Sequence, residues 1–339
     1  MRFVSAAVLS VVLMASTAHA TKLAGEFMAP GGGARALGMG GAFAAVAADA
    51  STVYWNPAGI AGIQKRQALA MHAEQFGDLV NYNFASYVQP SGLMDEARKP
   101  AFGFALIHLG DPDQILTSQL VHNDLNGDGQ IDPGELVDEN GIPFDEATLP
   151  RESNNSFAGF ATFAIETGAG AVGGSLKIIY QDMIAGESSM GIGIDLGYLK
   201  RDFLTRNLSL GAKLQDATGT YISWSTGTNE FIIPALKVGS AYKIESEELN
   251  GALLLAVDAD VFFDNRQAAS QFWVETMSTD VHVGAELSFQ ERVMIRGGLD
   301  ANNYTAGAGI YFSVIGLDYA YLHHDAFEAT HRVSVLANF

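Results

Sequence analysis

From Gln67 to Phe339 the hydrophobic period of this chain is two, and turn-forming residues cut it into segments of about ten residues. Residues 279–289 show the pattern plainly. Thr279, Val281, Val283, Ala285, Leu287 and Phe289 alternate with Asp280, His282, Gly284, Glu286 and Ser288. Successive side chains of a strand point to opposite faces, so each such segment carries one apolar and one polar face. Residues 190–200 repeat the design with Ile192, Ile194, Leu196 and Tyr198 against Gly191, Gly193, Asp195 and Gly197. Beyond residue 20 no uninterrupted apolar stretch reaches the roughly 18 residues that a membrane helix needs. In lipid the remaining way to satisfy every backbone group is a closed barrel.

The alternation predicts strands near 67–76, 80–89, 100–109, 154–166, 170–183, 189–200, 205–216, 231–243, 248–262, 278–289, 291–300, 303–313, 315–324 and 329–339. Fourteen is an even number, as antiparallel closure of a bacterial outer-membrane barrel requires. The long connections, 110–153, 217–230 and 263–277, all follow odd strands, and those after even strands are short apart from residues 90–99. With a periplasmic N-terminus the long loops face outside, which is the asymmetry of outer-membrane barrels. A soluble β-sandwich would need a solvated polar face, but here that face is glycine and scattered charge. The expected fold is therefore all-β, a fourteen-stranded antiparallel transmembrane β-barrel over 67–339. The region before it, 21–66, is rich in small residues and reads as a helical or irregular plug, a hatch.

Composition agrees. Charged residues are only 17% and glycines number 37, while Asp and Glu outnumber Lys and Arg by 38 to 19, a net charge of -19. That balance excludes nucleic acid as a partner, and the absence of cysteine excludes disulfides, thiolate metal sites and a cysteine nucleophile. Met1 and Arg2, the apolar run Phe3 to Ala15 and Ala18-His19-Ala20 read as a secretory signal peptide over 1–20. The sequence carries no nucleophile elbow, phosphate loop or dinucleotide fingerprint, so no enzymatic chemistry is expected.

Pointing the apolar faces at lipid turns Asp195, Asp258, Asp260, Asp280, His282, Glu286, Arg292, Arg296 and Arg332 into the lumen, with Lys177, Lys213, Lys237, Asp300 and Asp318. Their mixed signs predict mutual pairing around the plug. In the longest loop, Asp124-Leu125-Asn126-Gly127-Asp128-Gly129-Gln130-Ile131-Asp132-Pro133-Gly134-Glu135 has the spacing of a twelve-residue calcium loop. Asp124, Asn126, Asp128, Asp132 and Glu135 offer side-chain oxygens, Gln130 a carbonyl, and Gly129 the turn. Bound calcium is expected as a structural ion. Residues 111–153 hold eleven acids and a single base, so one loop carries half of the charge of the mature chain.

The stretch Gly33-Ala34-Arg35-Ala36-Leu37-Gly38-Met39-Gly40-Gly41-Ala42-Phe43, with Tyr54-Trp55-Asn56-Pro57-Ala58-Gly59 after it, resembles the N-terminal signature of the FadL-like outer-membrane superfamily, closest to its PorV/PorQ-type branch. Gly38, Gly40, Gly41, Asn56, Pro57 and Ala58 carry the hatch motif, and Asn83 to Val88 is similar to the same branch. The terminal Phe339, closing an amphipathic strand, resembles the assembly signal of such barrels. The resemblance implies a Gram-negative outer-membrane protein in contact with outer-membrane lipid, with a plug in its lumen. It implies transport of hydrophobic small molecules such as fatty acids or hydrocarbons, or reception of secreted cargo protein in type IX secretion. A structural or adhesive barrel acting through its calcium loop is the remaining expectation.

Overall fold

A computed structural model describes residues 25–75, 79–92, 98–115, 121–122, 136–137, 151–248, 250–324 and 328–339. The signal-peptide reading and the calcium loop, Asp124, Asn126, Asp128, Gln130, Asp132 and Glu135 with it, lie outside the described residues. The rest forms a closed fourteen-stranded antiparallel β-barrel. Its wall is β1 (Gln67–Gln75), β2 (Val80–Pro90), β3 (Ala101–Ile115), β4 (Arg151–Thr167), β5 (Gly170–Asp182), β6 (Ser188–Lys200), β7 (Leu208–Gln215), β8 (Ala235–Ser246), β9 (Gly251–Phe262), β10 (Met277–Phe289), β11 (Val293–Asp300), β12 (Asn303–Tyr311), β13 (Ile315–Leu322) and β14 (Thr330–Asn338). Each strand pairs with its sequence neighbour, and β1 closes the ring on β14 with Gln67 opposite Asn338. Closure removes the unpaired edges that lipid would not tolerate.

The outward face is set by the alternation. On β6 Met190, Ile192, Ile194 and Leu196 are exposed while Asp195 between them is buried. An Arg or Lys turned the other way would cost about 2–4 kcal/mol at the bilayer midplane.

Two expected loops take a different form. Residues 217–230 do not make an outer loop: after a bulge at 216–219, Thr220–Trp224 resumes the line of β7, pairs again with β6 and returns through Asn229–Ile232 towards β8. Asp216 at φ 52 and Gly219 at φ 73 supply the left-handed turns of the bulge. In the sequence Asp216 and Gly219 read as the start of a loop, and nothing local shows that the chain takes up its pairing with β6 again beyond them. In the 110–153 connection, β3 runs on to Ile115 past an irregularity at Asp111 and Gln114, β4 already starts at Arg151, and Val121–His122 pairs with Leu136–Val137.

Residues 25–63 fill the inside of the ring with short helices at Ala34–Gly38 and Thr52–Trp55 and a 3-10 turn at Pro57–Gly62. Nearly every residue from Gly31 to Ala61 is buried. Close approach of this hatch backbone requires a wall without side chains. A Cβ on Gly211 of β7 would stand 2.1 Å from the Ala44 carbonyl oxygen, and one on Gly197 of β6 would stand 2.3 Å from Asn56 Oδ1. The glycine-rich lumen face is thus the complement of the hatch.

Candidate functional site

Asn56 organises the hatch. Its Oδ1 accepts from Ala58 N at 3.1 Å, and its Nδ2 donates to the carbonyls of Ala44 at 2.7 Å and Tyr198 at 3.0 Å. Pro57 follows as the first residue of the 3-10 turn, where its missing N–H leaves nothing unsatisfied. Ala58 is wholly buried beside Gly173. Gly40, at φ 66, passes Leu299 so closely that a Cβ would meet its carbonyl oxygen at 2.4 Å. Gly38 accepts from Thr305 Oγ1 at 3.2 Å, and Gly41 N donates to Ala36 O at 3.0 Å. The motif therefore acts through backbone and one amide side chain, and none of its members offers reactive chemistry.

Three charge clusters join the hatch to the wall. In the first, Asp195 lies between Lys177 Nζ at 3.3 Å and Lys213 Nζ at 3.1 Å, Lys177 also pairs with Asp216, and Lys213 donates to Tyr54 O at 2.7 Å. The second centres on Glu286, which receives Arg35 of the hatch at 2.7 Å and Arg296 at 2.6 Å. Arg296 passes on to Asp318 at 2.6 Å, and Arg35 reaches Asp49 at 3.5 Å. The third links Asp260 to Lys237 and to His282, whose Nδ1 lies 3.0 Å from Asp300 and 3.0 Å from the Gly40 carbonyl. Asp258 accepts from Ala44 N at 2.7 Å, and Asp280 accepts from Gln271 N at 2.7 Å. Arg292 departs from its expected place: β11 begins one residue later, and Arg292 is exposed in the turn before it. Strand ends are blurred in the sequence because turn residues continue the alternation by chance. Asp216, Arg35 and Asp49 are the cluster members absent from the lumen assignment, one inside a bulge and two on the hatch rather than on a strand.

Above the hatch, at the barrel end away from the chain's C-terminus, lies a cavity of about 390 Å³. Met28, Tyr54, Phe231, Ile232, Phe262 and Leu322 give it apolar walls. Its charged rim is largely spoken for. Arg266 pairs with Glu26 at 2.9 Å and Asp264 at 3.0 Å and covers the Phe262 ring at 3.9 Å, and Lys237 holds Asp260.

Arg332 is the exception. Its side chain lines the cavity at 4% exposure, its Nε has no hydrogen-bond partner, and among the described residues no carboxylate pairs with it. Tyr82, which shares its inward row through Ala73, has a buried hydroxyl that is also unpartnered. Just beyond β13, burial and then the Arg332 cation hold the pKa of His324 below its ordinary value. The Asp300 carboxylate of the same cavity attracts the Arg332 guanidinium from beyond ion-pair distance, and a carboxylate or phosphate oxygen pair is the natural complement of its open Nε edge.

Comparison with protein-family models and with curated proteins finds no match. Among solved structures the barrel is similar to the CymD monoaromatic hydrocarbon channel, at 14% identity over 91% of this chain and 98% of that chain, with a TM-score of 0.57. It also matches a TodX monoaromatic hydrocarbon channel mutant lacking S2 and S3, at 12% identity over 91% of this chain and 99% of that one, TM-score 0.49. A Pseudomonas aeruginosa FadL homologue matches at 9% identity over 89% of this chain and 96% of that one, TM-score 0.49. At 14% identity the CymD likeness concerns the fold: this chain is built as a closed antiparallel barrel of the outer-membrane kind.

Proposed function

We propose that this protein is a FadL-like, hatch-plugged channel of the outer membrane that takes up a small hydrophobic molecule bearing an anionic group, without covalent chemistry. The observation that carries this reading is Arg332, buried with an unpartnered Nε in a cavity that combines an apolar wall of Met28, Tyr54, Phe231, Ile232, Phe262 and Leu322 with a rim of charged groups. A volume of about 390 Å³ falls in the range of small-molecule sites, roughly 300–1,000 Å³. A hydrophobic cargo is also the class that the name of the CymD channel gives to that barrel. Binding of a fluorescent fatty acid by purified protein tests the reading. Arg332→Gln is expected to weaken it at least tenfold, because a hydrogen bond to a charged group contributes about 1.5–3 kcal/mol. A neutral hydrocarbon probe should bind both forms equally. Unchanged fatty-acid affinity in the variant, or no binding to either form, overturns it.

Cargo reception in protein secretion rests on the hatch-motif resemblance, and a cavity of this size holds no folded domain. For the loop that contains Asp124 to Glu135 we propose a structural calcium ion. Titration calorimetry should show one saturable site, weak as in extracellular modules at about 10⁻⁴–10⁻³ M, and Glu135→Ala should abolish it. Calcium heats unaltered by Glu135→Ala refute the site.

A further inference from the structure

The loop-end cavity carries unpartnered polar groups on two opposite walls. On one, Gln75 of β1 and Arg332 of β14 are 5% and 4% exposed, and neither Gln75 Nε2 nor Arg332 Nε has an acceptor. On the other, where β7 runs into its bulge, Gln215 Oε1 and Asp216 Oδ2 are buried without a donor, and Asp216 as a whole is 1% exposed. In a ring of fourteen strands β7 and β14 stand diametrically opposite, so one wall offers donors and the facing wall acceptors. An amide can be turned end for end. A guanidinium Nε only donates and a carboxylate oxygen accepts, so the polarity rests on Arg332 and Asp216.

Asp216 is only half engaged. Its Oδ1 accepts from Lys177 and Thr220, and Oδ2 is left over. The other described acids lining the cavity already meet a cation or an N–H, supplied by Lys237, Arg266, His282 and the Gln271 backbone. The charges around Asp216 are themselves balanced, with Asp195 and Asp216 against Lys177 and Lys213. An incoming ammonium would stand in excess there, whereas a hydroxyl brings a donor without a charge.

Fourteen strands about 4.8 Å apart and tilted by about 40° close a ring about 28 Å across between backbones. After both side chains have reached inward, the remaining gap suits an extended chain and exceeds a single ring. The space between is apolar, with Met28 and Tyr54 of the hatch below and Phe262 and Leu322 on the wall, which suits methylenes. Leaving either polar group buried and unpaired is costly, and one ligand that is polar at both ends satisfies the two together. We infer that the ligand of this cavity is an ω-hydroxy fatty acid, its carboxylate on Arg332 and its terminal hydroxyl donating to Asp216 Oδ2. The inference rests on the reading of Arg332 given above and adds the far end of the ligand to it.

Displacement of the fluorescent fatty acid from the purified barrel by dodecanoate, 12-hydroxydodecanoate and 12-aminododecanoate reads that far end alone. A hydrogen bond to a charged group is expected to make the hydroxy acid bind about tenfold or more tighter than dodecanoate, with the amino analogue weaker than the hydroxy acid. Equal displacement by dodecanoate and its hydroxy derivative overturns the inference, and leaves the Arg332 reading standing where Arg332→Gln weakens both. Tighter binding of the amino analogue overturns the neutral donor. If none of the acids displaces the probe, the Arg332 reading fails and this inference fails with it. In Asp216→Ala, with heat-modifiable gel mobility showing a folded barrel, the affinities for dodecanoate and the hydroxy acid should converge. A preference that survives in that variant puts the hydroxyl elsewhere and refutes the assignment, and the series on the parent protein decides the matter if the variant does not fold.

Discussion

Asn56 and Glu286 show how single buried groups hold a plug that has little secondary structure of its own. Asn56 uses both ends of its amide on three backbone partners drawn from the hatch and from β6. Replacing it by alanine leaves those partners without it, each at about 1–3 kcal/mol. Asn56→Ala is therefore expected to lower the thermal transition of the purified barrel, and a transition equal to that of the parent would contradict this role. Glu286 is the common acceptor of Arg35 and Arg296. Removing one member of a buried ion pair costs about 3–5 kcal/mol because the other charge is left uncompensated. Glu286→Gln should accordingly raise amide hydrogen exchange across Ala34 to Gly38 while leaving β5 and β6 protected. Uniform loss of protection would mean that the cluster supports the wall rather than the hatch. The acids and bases on regular strands could be read from strand parity, whereas Asp216 in its bulge and Asp49 and Arg35 on the hatch could not, since a five-residue helix inside a lumen has no periodic face to read.

At the scale of elements, the wall and the hatch are cut to fit each other by glycine. The contrast between two positions isolates that effect. Gly211 faces the hatch, and a Cβ there would overlap the Ala44 carbonyl oxygen at 2.1 Å, so Gly211→Ala must push hatch and strand apart. Gly159 on β4 has nothing within 4 Å of its Cβ position. Thermal denaturation is expected to place Gly159→Ala within about 0.5 kcal/mol of the parent and Gly211→Ala lower by about 1–3 kcal/mol, the usual effect of overpacking. Equal values for the two would separate glycine content from hatch packing. The strands themselves were legible because lipid on one side and a polar lumen on the other force a strict two-residue code. The bulge at 216–219 was not, since its Asp216 and Gly219 look like the start of a loop while the strand resumes with a shifted register beyond them.

For the molecule as a whole, most charged groups inside the barrel are paired within the wall or between wall and hatch, while Arg332 in the loop-end cavity keeps a buried Nε without a hydrogen-bond partner and no ion pair among the described residues. That division separates structure from function within one lumen. It is why loss of Arg332 is expected to change ligand affinity with little effect on assembly, in contrast to loss of Glu286.

Alternation, strand count and the even number of segments are local properties of the sequence. They determine a closed antiparallel barrel because a bilayer allows no other extended structure. Which charges meet is a different matter. Lys177 and Asp216, or Arg35 and Glu286, are far apart along the chain and become partners only once shear, closure and the hatch path set their distances. The open Nε of Arg332 is likewise a property of the assembled lumen: a sequence shows that a cation points inward, and only the tertiary structure shows which of those cations stays beyond ion-pair reach of an acid.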